Sequence, residues 1–186
     1  MAHVFNDRPE PLEGTLDVRV FGRNAAMVAS AEHRISVGAH DSCVVSVDGL
    51  LGGFRDLTYS YRFGPRVFDV AVVRLLDTDG AVVSEDHFLP GGQARSIEED
   101  IGLVAHSCVV AGSTEVVVST ARFAQYVSVE IPGMIADRNW FHLAPGDRHV
   151  VRCTPTEGHS ASTRGEVRAL NVSNPTAMGS PQEQSS

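Results

Sequence analysis

The stretch Val67-Phe-Asp-Val-Ala-Val-Val-Arg-Leu-Leu-Asp-Thr-Asp-Gly-Ala-Val-Val-Ser-Glu-Asp-His-Phe88 decides the fold class. Two apolar, β-branched runs, 67–76 and 81–88, flank Asp77-Thr78-Asp79-Gly80. Gly supplies positive φ without steric cost, and Asp tolerates it, so this is a tight hairpin turn. Asp77 and Asp79 also imitate the start of a calcium loop, but the distal Glu of such a loop is missing, and a plain turn is the expectation. Leu89-Pro-Gly-Gly92 follows and punctuates the chain.

Working outward, the same period of two recurs. Leu16, Val18 and Val20 alternate with Asp17 and Arg19. Ala29, Ala31, His33, Ile35 and Val37 alternate with polar neighbours, as do Cys43, Val45 and Val47, and then Leu57, Tyr59, Tyr61 and Phe63. Such alternation puts one set of side chains in a core and the other in water. Gly52 to Asp56 leaves room for the one helical turn of this half. Beyond residue 92, strands are expected at 101–108, 115–120, 126–131, 140–143, 149–153 and 166–171, with turns at Ala111-Gly-Ser113 and Ala144-Pro-Gly-Asp147. The fold class is therefore all-β, two tandem immunoglobulin-like β-sandwich domains. Residues 1–92 form the first and 93–172 the second, and 173–186, polar and aperiodic, form a disordered tail. Each unit is small enough to gain from packing on a larger partner.

Composition excludes several functions. Among 186 residues, 42% are hydrophobic and 20% charged, and the formal net charge is −8. Both halves are acidic, with 13 acidic and 8 basic residues over 1–92 and 10 and 7 over the remainder. Neither nucleic acid nor an anionic membrane finds a basic footprint here. All 15 basic residues are arginine, a bias of composition that points to no mechanism. Cys43, Cys108 and Cys153 are few, distant and odd in number, so they are expected to be buried free thiols rather than a disulfide framework or a zinc site. With no leader pattern at the N-terminus and no apolar run near the ~20 residues of a membrane span, a cytoplasmic protein is the expectation.

Catalysis by this chain alone is not expected. Glycoside hydrolysis needs two carboxylates held roughly 5–10 Å apart, one kept protonated. Glu98, Glu99, Asp100, Asp77 and Asp79 all fall in loops or turns. There is no G-x-S-x-G elbow for a serine nucleophile. The eight histidines are scattered. His142 and His149 flank a turn, where surface positions are expected. Asn171-Val-Ser173 is a glycosylation sequon that matters only on a secreted chain. No cofactor or metal is called for.

The segment Asp137-Arg-Asn-Trp-Phe-His-Leu143 holds the sole Trp. As a strand it turns Phe141 and Leu143 to the core and Trp140 and His142 outward. A flat ring beside polar groups stacks on a sugar or anchors a protein contact. Asp137, Arg138, Asn139, Trp140 and His142 are thus the candidate carbohydrate or partner contacts, with packing against a neighbouring domain as the default role for Trp140.

Two motifs carry a resemblance. Phe123-Ala-Gln-Tyr-Val-Ser-Val-Glu-Ile131, followed by Asp137-Arg-Asn-Trp-Phe-His-Leu-Ala-Pro-Gly-Asp147, resembles the last domain of bacterial β-mannosidases of glycoside hydrolase family 2, whose motif is Asp-Asn-Tyr-Phe-Asp-Leu-Leu-Pro-Gly-Glu. Phe141, Leu143, Pro145 and Gly146 are retained. Arg138 is inserted, Trp140 replaces Tyr, His142 replaces Asp and Asp147 replaces Glu. Asn6-Asp7, Leu12-Glu-Gly-Thr-Leu16 and Phe54-Arg-Asp-Leu-Thr-Tyr-Ser-Tyr61 are similar to the preceding immunoglobulin-like domain. The resemblance spans residues 3–172. It implies a non-catalytic C-terminal accessory region with a structural or docking role, since the family's (β/α)₈ barrel and its two catalytic Glu residues are not in this sequence. The implied partner is that barrel, in cis or in trans, with mannose-containing glycans bound weakly if at all. The alternatives are a stand-alone carbohydrate-binding module, or an interaction module for a separately encoded hydrolase.

Overall fold

The structure is a computed structural model, and it describes residues 1–22, 24–52, 68–90, 92 and 97–179. The chain divides into two compact units, Met1–Gln93 and Ala94–Ser186.

The first unit holds β1 (Ala2–Asn6), β2 (Leu12–Phe21), β3 (Met27–Val37), β4 (Asp41–Val45), a single helical turn α1 (Val47–Leu50), β5 (Val70–Leu76) and β6 (Val82–Phe88). Four strands make an antiparallel sheet in the order β3-β2-β5-β6, and β1 pairs with β4. The alternation holds for the apolar set of β2, but Asp17, expected in water, is buried at 4% beside Arg19, and on β3 only Ile35 and Val37 are buried, while Ala29 and Ala31 are half-buried and His33 is exposed. Leu16, Val18 and Val20 are buried, and they meet Val4, Ile35, Val37 and Leu75 on one side of the sheet and Val47, Phe68 and Ala71 further along it. On the opposite face Glu32, Asp17, Arg74 and Glu85 stand in direct register across the four strands. Arg74 reaches Glu85 at 2.6 Å and Arg19 reaches Asp17 at 2.9 Å. Glu32 and Asp17 are like charges directly opposite, which is unfavourable, and Arg19 and Arg74 beside Asp17 offset them.

The Asp77–Gly80 turn closes as its chemistry dictates. The Asp77 carboxylate accepts the N–H of Asp79 at 2.9 Å and of Ala81 at 2.8 Å, and Gly80 takes φ +83°. Both carboxylate contacts are to backbone, which fits a turn and leaves nothing resembling a calcium loop. A helical turn forms at Val47–Leu50, whereas the alternation reads as strand through Val47. Ser46 caps it by accepting the Gly49 N–H at 3.2 Å, and Asp48 sits in its first turn. That cap ends β4 at Val45 and rolls Val47 inward, so the alternation read through Val47 stops one step sooner. The expected strand at Leu57–Phe63, the Phe54–Tyr61 motif and most of Gly52–Asp56 lie outside the described residues. β1 has no sequence signal of comparable strength. Its pairing with β4 and the Asn6 bracket, whose amide donates to the carbonyls of Glu10 and Gly38 at 2.8 Å each, define it.

The second unit holds β7 (Val104–Val110), β8 (Ser113–Ser119), β9 (Ala124–Glu130), β10 (Met134–Ala136), β11 (Phe141–Leu143), β12 (Arg148–Pro155), β13 (Glu166–Arg168) and β14 (Thr176–Ala177). They form two four-stranded sheets, β10-β12-β8-β7 and β11-β9-β13-β14. This is the D-E-B-A and C′-C-F-G arrangement of an immunoglobulin sandwich, except that the chain visits the D-position edge before the C′-position edge. Ile101, Ala105, Val116, Val118, Val127, Val129, Val151 and Val167 fill the space between the sheets. The connection between β12 and β13 is pinned by hydroxyls of the first sheet. Thr114 and Ser107 donate to the carbonyls of Ser162 and Thr163, each at 2.9 Å.

Residues 173–179 correct the tail expected from 173 onward. Thr176 and Ala177 pair with β13, and Gly179 exchanges backbone hydrogen bonds with Ala105 and Ser107. A two-residue strand is too short to register as periodicity, and its partners lie elsewhere in the chain. Residues 180–186 lie outside the described residues. The three cysteines are free. Cys43 and Cys108 are half-buried rather than buried, and Cys153 is buried. Burial, with the Asp137 carboxylate adding to it, pushes the Cys153 thiol above its ordinary pKa and keeps it a neutral apolar side chain.

Candidate functional site

The five residues singled out from the sequence do different jobs. Asp137 continues the pairing of β10 with β12: its N–H donates to the Arg152 carbonyl at 2.9 Å and its carboxylate accepts the Arg152 N–H at 3.0 Å. The Asn139 Oδ1 accepts the Val129 N–H at 2.7 Å, satisfying a sheet donor that the short strand β11 does not reach. Arg138 lies 3.2 Å from the His149 ring nitrogen at the surface. His142 is held between rings, 4.6 Å from Tyr126 and 5.5 Å from Phe123, with its Nδ1 3.1 Å from the Tyr126 N–H it accepts. Thus Asp137, Asn139 and His142 knit strands together.

Asp137, Arg138, Asn139 and Trp140 are all exposed, Trp140 at 66%, and only His142 of the five is half-buried. Trp140 departs from strand geometry, with φ +63°, and its N–H donates to the Val127 carbonyl at 2.7 Å. This corrects the simple strand phase. The left-handed Trp140 and a bulge between Phe141 and Leu143 break the strict period of two along this segment. Leu143 is buried as expected. Phe141 is half-buried instead, its ring 4.9 Å from that of His149. His142 and His149 engage separate partners across this turn. Phe141→Ala is therefore expected to cost about 2 kcal/mol, below the range for an emptied core aromatic, and Trp140→Ala less than ~1 kcal/mol. Urea unfolding of the two variants, followed by circular dichroism, checks the order, and a larger loss for Trp140→Ala would refute it.

The indole borders a shallow groove of about 280 Å³ on the outer face of the β11-β9-β13-β14 sheet. Tyr126 and Glu130 come from β9, Arg168 from β13, Leu170 and Asn174 from the segment beyond it. Glu130 stands directly opposite Glu166 on the neighbouring strand. Arg168 offsets that like-charge pair, with Nε 2.9 Å and Nη2 2.5 Å from the Glu166 carboxylate. Leu170 is 61% exposed beside them. Sequence reasoning identified the strands carrying these residues but not the groove. The available signal was the outward set of each strand, 126/128/130 and 166/168/170, which only the pairing of β9 with β13 places side by side. Among the described residues no three His, Cys, Asp or Glu side chains are grouped to hold a metal. No helix among them is long and apolar enough to cross a membrane.

Fold and groove together define a protein of tandem β-sandwich units, the second of immunoglobulin type, with an aromatic-edged polar groove on its outer sheet. No family model matches the chain, and no curated protein matches it in sequence. Among solved structures it is similar to a β-D-mannosidase from Dictyoglomus thermophilum, at 11% identity and a TM-score of 0.68 over 92% of this chain and 20% of that one. It is also similar to the exo-chitosanase CsxA of Amycolatopsis orientalis, at 16% identity and a TM-score of 0.56 over 94% of this chain and 24% of the enzyme. The chain thus spans between a fifth and a quarter of the length of these two enzymes. At such identities the likeness fixes the fold, and it falls on the same kind of enzyme as the resemblance carried by residues 123–147.

Proposed function

We propose that this chain is a non-catalytic accessory region of a glycoside hydrolase of the β-mannosidase kind, acting as a β-sandwich platform that docks on a catalytic (β/α)₈ barrel in cis or in trans. The observation that carries this reading is the match of 92% of the chain to one-fifth of a β-mannosidase, joined to the motif retained at Phe141, Leu143, Pro145 and Gly146. The chemistry of the groove supports it. Glu130 and Glu166 face each other on an open sheet surface with Arg168 beside them, whereas glycoside cleavage needs one carboxyl kept protonated in a shielded cleft. The purified chain is expected to release aryl alcohol from an aryl β-mannoside no faster than buffer does. Turnover well above buffer, lost in Glu130→Gln or Glu166→Gln, would overturn the reading.

A further inference from the structure

We infer that the groove beside Trp140 is a binding site for a single hexopyranose unit, a role that goes beyond the docking reading and stands without it. The first observation is backbone strain. Among the described residues five non-glycine positions have positive φ. Ala25, His40 and Ala111 sit in turns, whereas Tyr126 (φ +48°) lies within β9 and Trp140 (φ +63°) directly precedes β11. Left-handed backbone is unfavourable for bulky residues and persists only where surrounding contacts impose it. Here the contacts are the Tyr126 N–H to the His142 ring and the Trp140 N–H to the Val127 carbonyl. The two strained residues are aromatic, and both line this groove.

The second observation is the lining. The Trp140 indole offers a flat apolar face, the kind of surface on which the C–H face of a pyranose ring stacks. Glu130, Arg168 and Asn174 line the same groove, the Arg168 guanidinium held in place by the Glu166 carboxylate. These planar, multidentate groups pair with vicinal hydroxyls. A volume of about 280 Å³ sits at the small end for ligand sites, which suits one sugar ring. The charged residues Glu130 and Arg168 in the lining suit a polar ligand better than a protein anchor, because the cores of protein interfaces are depleted of charged residues. With one aromatic platform and an open groove, affinity falls in the millimolar range.

The test uses the full chain and its sole Trp as reporter. Mannobiose and chitobiose are titrated while intrinsic fluorescence is followed. At least one is expected to give a saturable change at millimolar concentration. In Arg168→Ala, which retains the reporter, the midpoint should rise at least 5-fold. In Trp140→Ala, with folding verified by circular dichroism, binding followed by saturation-transfer NMR should vanish. The inference is overturned if neither sugar saturates. It is equally overturned if Arg168→Ala leaves the midpoint unchanged, or if a separately produced catalytic barrel, and not sugar, shields Trp140 from acrylamide quenching. A failed titration leaves the accessory reading intact, since that rests on the aryl mannoside assay.

Discussion

Asn171→Ala is expected to remove about 3–4 kcal/mol of stability from the second unit, because it strands two buried backbone groups at about 1–3 kcal/mol each. The Asn171 side chain is 1% exposed. Its Oδ1 accepts the Gln125 N–H at 2.8 Å, and its Nδ2 donates to the Phe123 carbonyl at 2.9 Å. The strained Tyr126 follows directly. Here the pairing of β11 with β9 shifts register, and a side chain from beyond β13 bonds the β9 backbone. Asn171→Asp keeps the acceptor, loses the donor and turns a negative oxygen toward the Phe123 carbonyl, so its loss should be comparable. Urea denaturation followed by Trp140 fluorescence measures this, since the reporter lies in the same unit. A midpoint unchanged in both variants would show that water replaces the amide freely. The same burial explains the sequon: the amide nitrogen that glycosylation would need is occupied within the fold.

Leu16→Ala should be the most damaging change in the first unit, about 3 kcal/mol, within the range for Leu to Ala in a packed core. Leu16 is 1% exposed on the central strand β2 and packs with Val4, Leu12, Ile35, Val37 and Leu75. A small sandwich has about 5–10 kcal/mol in total, so the loss is a large share of it. Leu16→Met, which conserves volume, should cost less than ~1.5 kcal/mol. Trp140 does not report on this unit, so thermal unfolding by far-ultraviolet circular dichroism is the measurement. A loss below ~1 kcal/mol for Leu16→Ala would mean that the site collapses around the cavity.

The contrast between Leu16 and Trp140 shows where sequence reading holds. Leu16, Val18 and Val20 obey their alternation because β2 is a long central strand paired on both sides, and its phase is set by ten consecutive residues. Trp140 sits next to a three-residue strand, where one left-handed residue and one bulge outweigh any period of two. Phe141 moved from buried to half-buried for that reason.

The sequence by itself determined the all-β class, the Asp77–Gly80 hairpin and the buried apolar set of the central strand β2. These depend on side-chain period and turn chemistry, both local to a few residues. Only the tertiary structure decided the rest. Asn171 becomes a bracket because the fold brings it the Phe123 carbonyl and the Gln125 N–H, 48 and 46 residues away in the chain. The groove exists because β9 and β13 pair in one register, setting Glu130 and Arg168 on a common face with Trp140 at its edge. Contacts between segments so far apart leave no period in the chain, and so no pattern from which to read them.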